Sequence, residues 1–179
     1  MIFLLLVVVL SIFGTEQTPI NRVLWAGGNL EPGDILFVDV YDGWCFYGYW
    51  DHLAIYVGEQ SCGGYHSPAV VEATYNGGVC LTPLWLFLER DEPAEVSVKR
   101  LRASSLSEGA IPQVVEYALA QVGKPFDFIF PAHKIGDRSL HCVELVWRAY
   151  KVAGVELDSN GGLLLYPDEI YYSSQLMPI

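Results

Sequence analysis

The chain has 179 residues, 52% of them apolar and 13% aromatic. That is a globular composition, long enough for one hydrophobic core, and it excludes intrinsic disorder. The formal net charge is -11 with only 10 Lys and Arg residues. They are spread thinly along the chain, which excludes a nucleic-acid footprint and a polybasic membrane contact.

The chain opens MIFLLLVVVLSIFGTEQTP. Residues Ile2 to Phe13 are apolar apart from Ser11, a run shorter than the roughly 20 residues of a membrane span. It fits the hydrophobic region of a secretory signal, although no Lys or Arg precedes it and no A-x-A site follows. The expectation is a signal peptide over residues 1–15, an N-terminal extension over 16–30 and a single domain over 31–179. The protein is then exported (secreted, periplasmic or cell-surface), and any membrane association is through an uncleaved N-terminus. Four cysteines follow, Cys45, Cys62, Cys80 and Cys142, in no metal-binding spacing such as C-x-x-C. In an oxidising compartment two of the first three can pair, leaving one over, and the choice stays open.

In chain order, EPGDILFVDVY reads as a turn and a strand. DGWCFYGYW is an aromatic, glycine-interrupted loop. DHLAIYVG is a strand closed by Gly58, EQSCGGYHSP a turn-rich connection and AVVEATY a strand. NGGV is a tight turn. VCLTPLWLFLE continues as a strand and then becomes ambiguous, and AEVSVKRLR alternates as a strand. IPQVVEYALAQVG has helical spacing, KPFDFIFPAHKIGD is an irregular loop, and Ser139 to Ala153 is a second helix stopped by Gly154. Strands followed by helices indicate an α+β fold with an antiparallel sheet, not a doubly wound parallel one.

The second helix carries the chemistry. Ser139 as N-cap places Cys142 third in the helix, with Leu145, Val146, Ala149, Tyr150 and Ala153 as the buried stripe. A thiol in a first helical turn meets free N–H groups and the positive end of the dipole, which favour the nucleophilic thiolate. The alternative is a buried structural cysteine. A nucleophile also needs a base and a group to orient it. His141 is adjacent in sequence, and neighbouring helical side chains diverge by about 100°, which turns it away from the thiol. His52 opens the strand DHLAIYVG, where it shares a face with Ala54 and Tyr56. Glu72 lies between Val71 and Ala73, an unusual place for a carboxylate unless it is paired. In an antiparallel hairpin His52 and Glu72 share a face in every register whose paired positions sum to an even number, and a one-residue slip separates them.

The segments GDILFV, DHLAIYVG, VVEAT with GV and PLWLFL, GKPFDFIF and HCVELVWRAYKVAGV occur in this order. Together they resemble the circularly permuted branch of the NlpC-type papain-like cysteine hydrolases, the YiiX/YaeF-like group, over about Glu31 to Pro167. The resemblance implies an α+β permuted papain-like fold, an antiparallel sheet or open barrel packed against helices. It maps Cys142 to the nucleophile, His52 to the general base and Glu72 to the third, polar position. It puts His141 and Val143 where the group often has tyrosine and serine. H-C-V-E replaces the D-C-S-G of unpermuted cell-wall enzymes, so these residues do not imply cell-wall peptide cleavage.

The implied chemistry is acyl transfer at an amide, ester or thioester, with no cofactor. The implied substrate is a small-molecule, peptide or lipid-like acyl compound. Candidate substrate contacts are His141, Asp127 and Trp50, with Asp127 alternatively a loop cap and the aromatic loop Trp44–Trp50 alternatively core and surface packing. Two other classes stay open: a non-catalytic module holding a lipid or peptide on the same fold, and a metal site built from His52, Glu72 and Cys142.

Overall fold

The computed structural model describes residues 29–39, 48–90, 95–129 and 132–179. The expected signal peptide, most of the N-terminal extension, Cys45 and the start of the aromatic loop lie outside the described residues. Strands β1 (Ile35–Asp39), β2 (His52–Cys62), β3 (Tyr65–Thr74) and β4 (Gly78–Pro83) come first, followed by helix α1 (Leu84–Glu89) and β5 (Glu95–Leu101). Then come α2 (Ala110–Ala120), β6 (Ala132–His133), α3 (Cys142–Val152), β7 (Leu164–Leu165), α4 (Pro167–Tyr171) and β8 (Leu176–Pro178). The main sheet has six strands in the order β4-β3-β2-β1-β5-β8, and every neighbouring pair is antiparallel.

Both faces of this sheet are covered, which explains why its central strands are apolar at odd and even positions alike. On one face Leu53, Ile55, Val57, Val71 and Ala73 pack with Val114 and Ala118 of α2 and Val143, Leu145 and Val146 of α3. On the other, Leu36, Ala54, Tyr56 and Val70 pack with Leu84, Phe87 and Leu88 of α1. Each such fully buried aliphatic side chain contributes roughly 1.5–3 kcal/mol of transfer free energy.

The expected stripe of α3, Leu145, Val146, Ala149, Tyr150 and Ala153, is buried throughout. The helix stops at Gly154, which has φ 80. Gly154 N–H donates to Lys151 O and Val155 N–H to Tyr150 O, both at 3.0 Å, the paired bonds of a Schellman terminus that needs a left-handed residue. The Tyr150 hydroxyl donates to the Gly33 carbonyl and so ties α3 to the start of β1.

Several expectations are corrected. EQSCGGYHSP is not an open connection: β2 and β3 pair through it as far as Cys62 opposite Tyr65, because Gly63 and Gly64 alone form the turn. The ambiguous PLWLFLE is helix α1, whose Leu84, Phe87 and Leu88 face the sheet at helical spacing. The loop before α3 holds short β6, paired with β7. Cys62 and Cys80 are free thiols, so no bridge joins those two.

β4 is clamped to the loop that leads to α3: Val79 N–H donates to Lys124 O and Gly123 N–H to Val79 O, both at 2.8 Å. Gly78 sits there at φ 66, and an added Cβ would collide with the Lys124 carbonyl and crowd Pro125. Gly78→Ala is therefore expected to destabilise the fold by about 1–3 kcal/mol, read as a lowered denaturant midpoint with an unchanged slope.

Candidate active site

The hairpin register brings the two candidate groups together. Glu72 lies opposite Ala54, two residues from His52, so the residues are diagonal neighbours on one face. The β-bulge between Tyr56 and Gly58 shifts the register only beyond this region. His52 Nε2 and Glu72 Oε2 are 2.8 Å apart.

Glu72 is wholly buried and held by two further residues. Arg90 donates from Nη1 to Oε1 at 2.8 Å and from Nη2 to Oε2 at 2.9 Å, and the Thr82 hydroxyl donates to Oε1 at 2.6 Å. Burial alone would raise the carboxyl pKa; the bonds from Arg90, His52 and Thr82 outweigh it and hold the group well below the usual carboxylate range. Arg90 and Thr82 were not among the sequence candidates. A buried carboxylate requires a cationic partner, and Arg90 closes the segment PLWLFLER. That signal was hidden while the segment was not recognised as a helix. Phe87, from the same helix, packs its ring 5.9 Å from the His52 ring.

Cys142 is the first residue of α3, not the third, because the N-cap is His141 rather than Ser139. Leu140 N–H donates to Pro125 O and Asp127 N–H to Leu140 O, which holds the entry strand extended until His141, at φ -81 and ψ 158. Glu144 in the first turn accepts from His141 N–H at 2.9 Å. This overturns the expectation that His141 points away from the thiol. The 100° rule applies within a helix, whereas His141 is still extended, and its Nδ1 lies 3.3 Å from Cys142 Sγ.

Cys142 is buried, and burial pushes its thiol pKa up. The charges of His141 and His52, and hydrogen bonds from both, outweigh this and bring it down to about 5. His52 answers in kind: burial pushes it down, but the Cys142 thiolate and then Glu72 push it up to about 10. Both shifts act in one direction, favouring a thiolate beside an imidazolium. As the first helical residue, Cys142 also presents an amide that has no partner within the helix.

The remaining candidates fall outside this cluster. Trp50 is 2% exposed, stacked with Tyr171 at 4.9 Å and Phe37 at 5.9 Å, while its amide donates to Asp168. It is core, with almost no surface left for a substrate. Asp127 accepts from Ile129 N–H at 2.9 Å, the loop-capping arrangement, and is itself buried. Its neighbour Phe126 stands instead beside the site, 4.8 Å from the His141 ring.

Residues 29–164 match the family described as permuted papain-like amidase enzyme, YaeF/YiiX, C92 family. The chain belongs to this family. Membership supports a cysteine peptidase- or amidase-like enzyme. The chain is also similar to the crystal structure of the metalloprotein yiiX from Escherichia coli O157:H7, with a TM-score of 0.64 and 21% identity, covering 83% of this chain and 96% of that one. That likeness shows the permuted papain-like fold. A stretch of 73 residues is 36% identical to the uncharacterized protein YycO of Bacillus subtilis (strain 168), spanning 39% of this chain and 30% of that relative's length.

Arg90→Gln is expected to cost about 1–3 kcal/mol at neutral pH, because it leaves a buried carboxylate with two hydrogen-bond partners instead of three. Glu72 has a depressed folded pKa, so its contribution is present above its ordinary value of 4.5 and is lost as the pH falls towards the folded value. The gap in melting temperature between wild type and Arg90→Gln should accordingly narrow on acidification below pH 4.5, and thermal melts at pH 7 and pH 3 check this.

Proposed function

We propose that this protein is a thiol hydrolase or acyltransferase acting on an amide, ester or thioester through Cys142, His52 and Glu72. The observation that carries the reading is one imidazole bonded on one side to a buried, guanidinium-locked carboxylate and within hydrogen-bonding reach of the Cys142 sulfur on the other. A surface histidine or a structural cysteine needs no such arrangement.

In this reading the Cys142 thiolate attacks the acyl carbon, a C–S bond forms, and the carbonyl electron pair moves to oxygen. The oxyanion lies against the Cys142 N–H at the start of α3. The tetrahedral adduct collapses, the bond to the leaving group breaks, and imidazolium His52 gives that group its proton. The now neutral His52 removes a proton from water, or from an acceptor alcohol or amine in transfer, and the resulting nucleophile releases the acyl group. Thiolate and imidazolium are then restored. Glu72 stays ionised throughout and fixes Nε2 of the imidazole, which leaves Nδ1 for the sulfur.

An apolar path supports an acyl substrate with a hydrophobic part. From His141, Phe126 leads to Phe128 at 5.3 Å and on to Tyr75, 5.0 Å from Phe128, and these last two rings are largely exposed. A metal-dependent reading does not fit these residues. Both Glu72 oxygens already face Arg90 N–H groups, and a cation there would meet the guanidinium. Among the described residues no group of three His, Cys, Asp or Glu side chains is placed to hold a metal ion. The apolar run Ile2 to Phe13 supports export as the setting for this activity.

Turnover is expected to form a plateau in pH. It falls below about 5 as the thiolate is protonated and above about 10 as His52 loses its proton. Cys142→Ala should abolish activity. Glu72→Gln removes the charge that stabilises imidazolium, and turnover should drop about ten- to a hundredfold, corresponding to the roughly 1.5–3 kcal/mol of one charge-assisted hydrogen bond. Hydrolysis of a panel of acyl esters, thioesters and amides, with melting temperatures taken on the same preparations, checks this. A folded Glu72→Gln protein with full turnover would reduce the site to a Cys–His pair.

A further inference from the structure

We infer that His141 is a second catalytic imidazole, holding the Cys142 sulfur as a thiolate independently of His52. The inference rests on the proposed thiol chemistry and adds a residue to it. Three observations carry it. His141 Nδ1 lies 3.3 Å from Cys142 Sγ, within reach of an N–H donor to sulfur. The ring is held in place: the residue is 4% exposed, Phe126 packs 4.8 Å from it, and Glu144 accepts from its backbone N–H. Its extended N-cap backbone lets a residue adjacent to the nucleophile turn its side chain onto that nucleophile, which a helical neighbour cannot do.

The two histidines divide the work because their surroundings differ. Nε2 of His52 is bound to Glu72, with Arg90 behind the carboxylate. That chain suits a group that must carry a full positive charge and pass a proton to and from the leaving group and water. His141 stands against the sulfur itself, with Nδ1 3.3 Å from Sγ: its Nδ1–H donates to the thiolate before attack and again when the C–S bond of the acyl-enzyme breaks and the thiolate re-forms. His52 on β2, with Glu72 of β3 behind it, is the other charged neighbour of the sulfur, and charge on His141 as well as on His52 favours the thiolate.

The test is the pH dependence of Cys142 alkylation by iodoacetamide, located by peptide mapping, which needs no substrate. His141→Phe keeps a ring against Phe126 and removes the N–H. His141→Asn keeps an N–H near the Nδ1 position and suits an N-cap. For wild type, half-maximal reactivity is expected on the acid side of neutrality. His141→Phe should react at least about tenfold more slowly at pH 6, the effect of a one-unit rise in thiol pKa, and converge on wild type near pH 9.5, where the thiol ionises unaided. His141→Asn should recover most of the loss. His52→Ala should give a separate shift, and the double variant should titrate as an ordinary thiol or higher, near or above about 8.5. A His141→Phe profile superposing on wild type while His52→Ala shifts overturns the inference and leaves the proposed function standing. A loss of equal size at every pH makes His141 structural and also overturns it. A wild-type Cys142 unreactive below pH 7 overturns the thiolate reading and this inference together.

Discussion

The arrangement depends on one buried charge. Glu72 lies inside the sheet, where an unpaired carboxylate would cost several kcal/mol, and it is tolerated because three elements send it partners. β2 supplies His52, β4 supplies Thr82, and Arg90 follows α1. Each partner is positioned by packing that has nothing to do with chemistry: α1 is held by Leu84, Phe87 and Leu88, and the strands by their ladder. The carboxylate in turn keeps the His52 ring at a defined angle and charge. Removing Arg90 therefore reaches Cys142 through two intermediaries, the carboxylate and the imidazole.

The Cys142 sulfur is delivered from the other side of the sheet. α3 packs on the Leu53, Ile55 and Val71 face, whereas His52 and Glu72 lie on alternate positions of the same strands. The cluster forms where the start of β2 meets the first residue of α3. That meeting point is set by clamps at both ends of the helix: the Pro125–Leu140 and Asp127–Leu140 backbone bonds at its start, and the Tyr150 bond to Gly33 further along. Gly78 matters to the site for this reason, since it allows β4 to close on Lys124 at the base of the same loop.

Much of this was legible in the sequence. The α3 stripe is a clean helical period and its Gly154 stop a local signal, so both survive unchanged. The shared face of His52 and Glu72 follows from strand parity and one assumption, an even register, which the Ala54–Glu72 pairing satisfies. The errors have equally definite causes. Helix α1 is only six residues long, too short for periodicity to separate it from a strand. Trp50 was grouped with a cleft-lining loop because an aromatic-rich stretch reads alike whether it faces a ligand or the core. His141 was turned away from the sulfur because the helix start was placed two residues early.

Composition, strand parity and helical period are one-dimensional properties, and they determined the α+β class, the buried face of α3, and the candidate Cys142, His52 and Glu72. Tertiary structure alone decided which groups touch. Arg90 reaches Glu72 across 18 residues of chain, Trp50 is sealed by Tyr171 from α4, and His141 meets Cys142 only because the loop bonds of Leu140 keep the backbone extended for one residue more. Such contacts depend on where separate elements end and how they pack, and no local pattern of residues encodes those endpoints to the single residue that the chemistry requires.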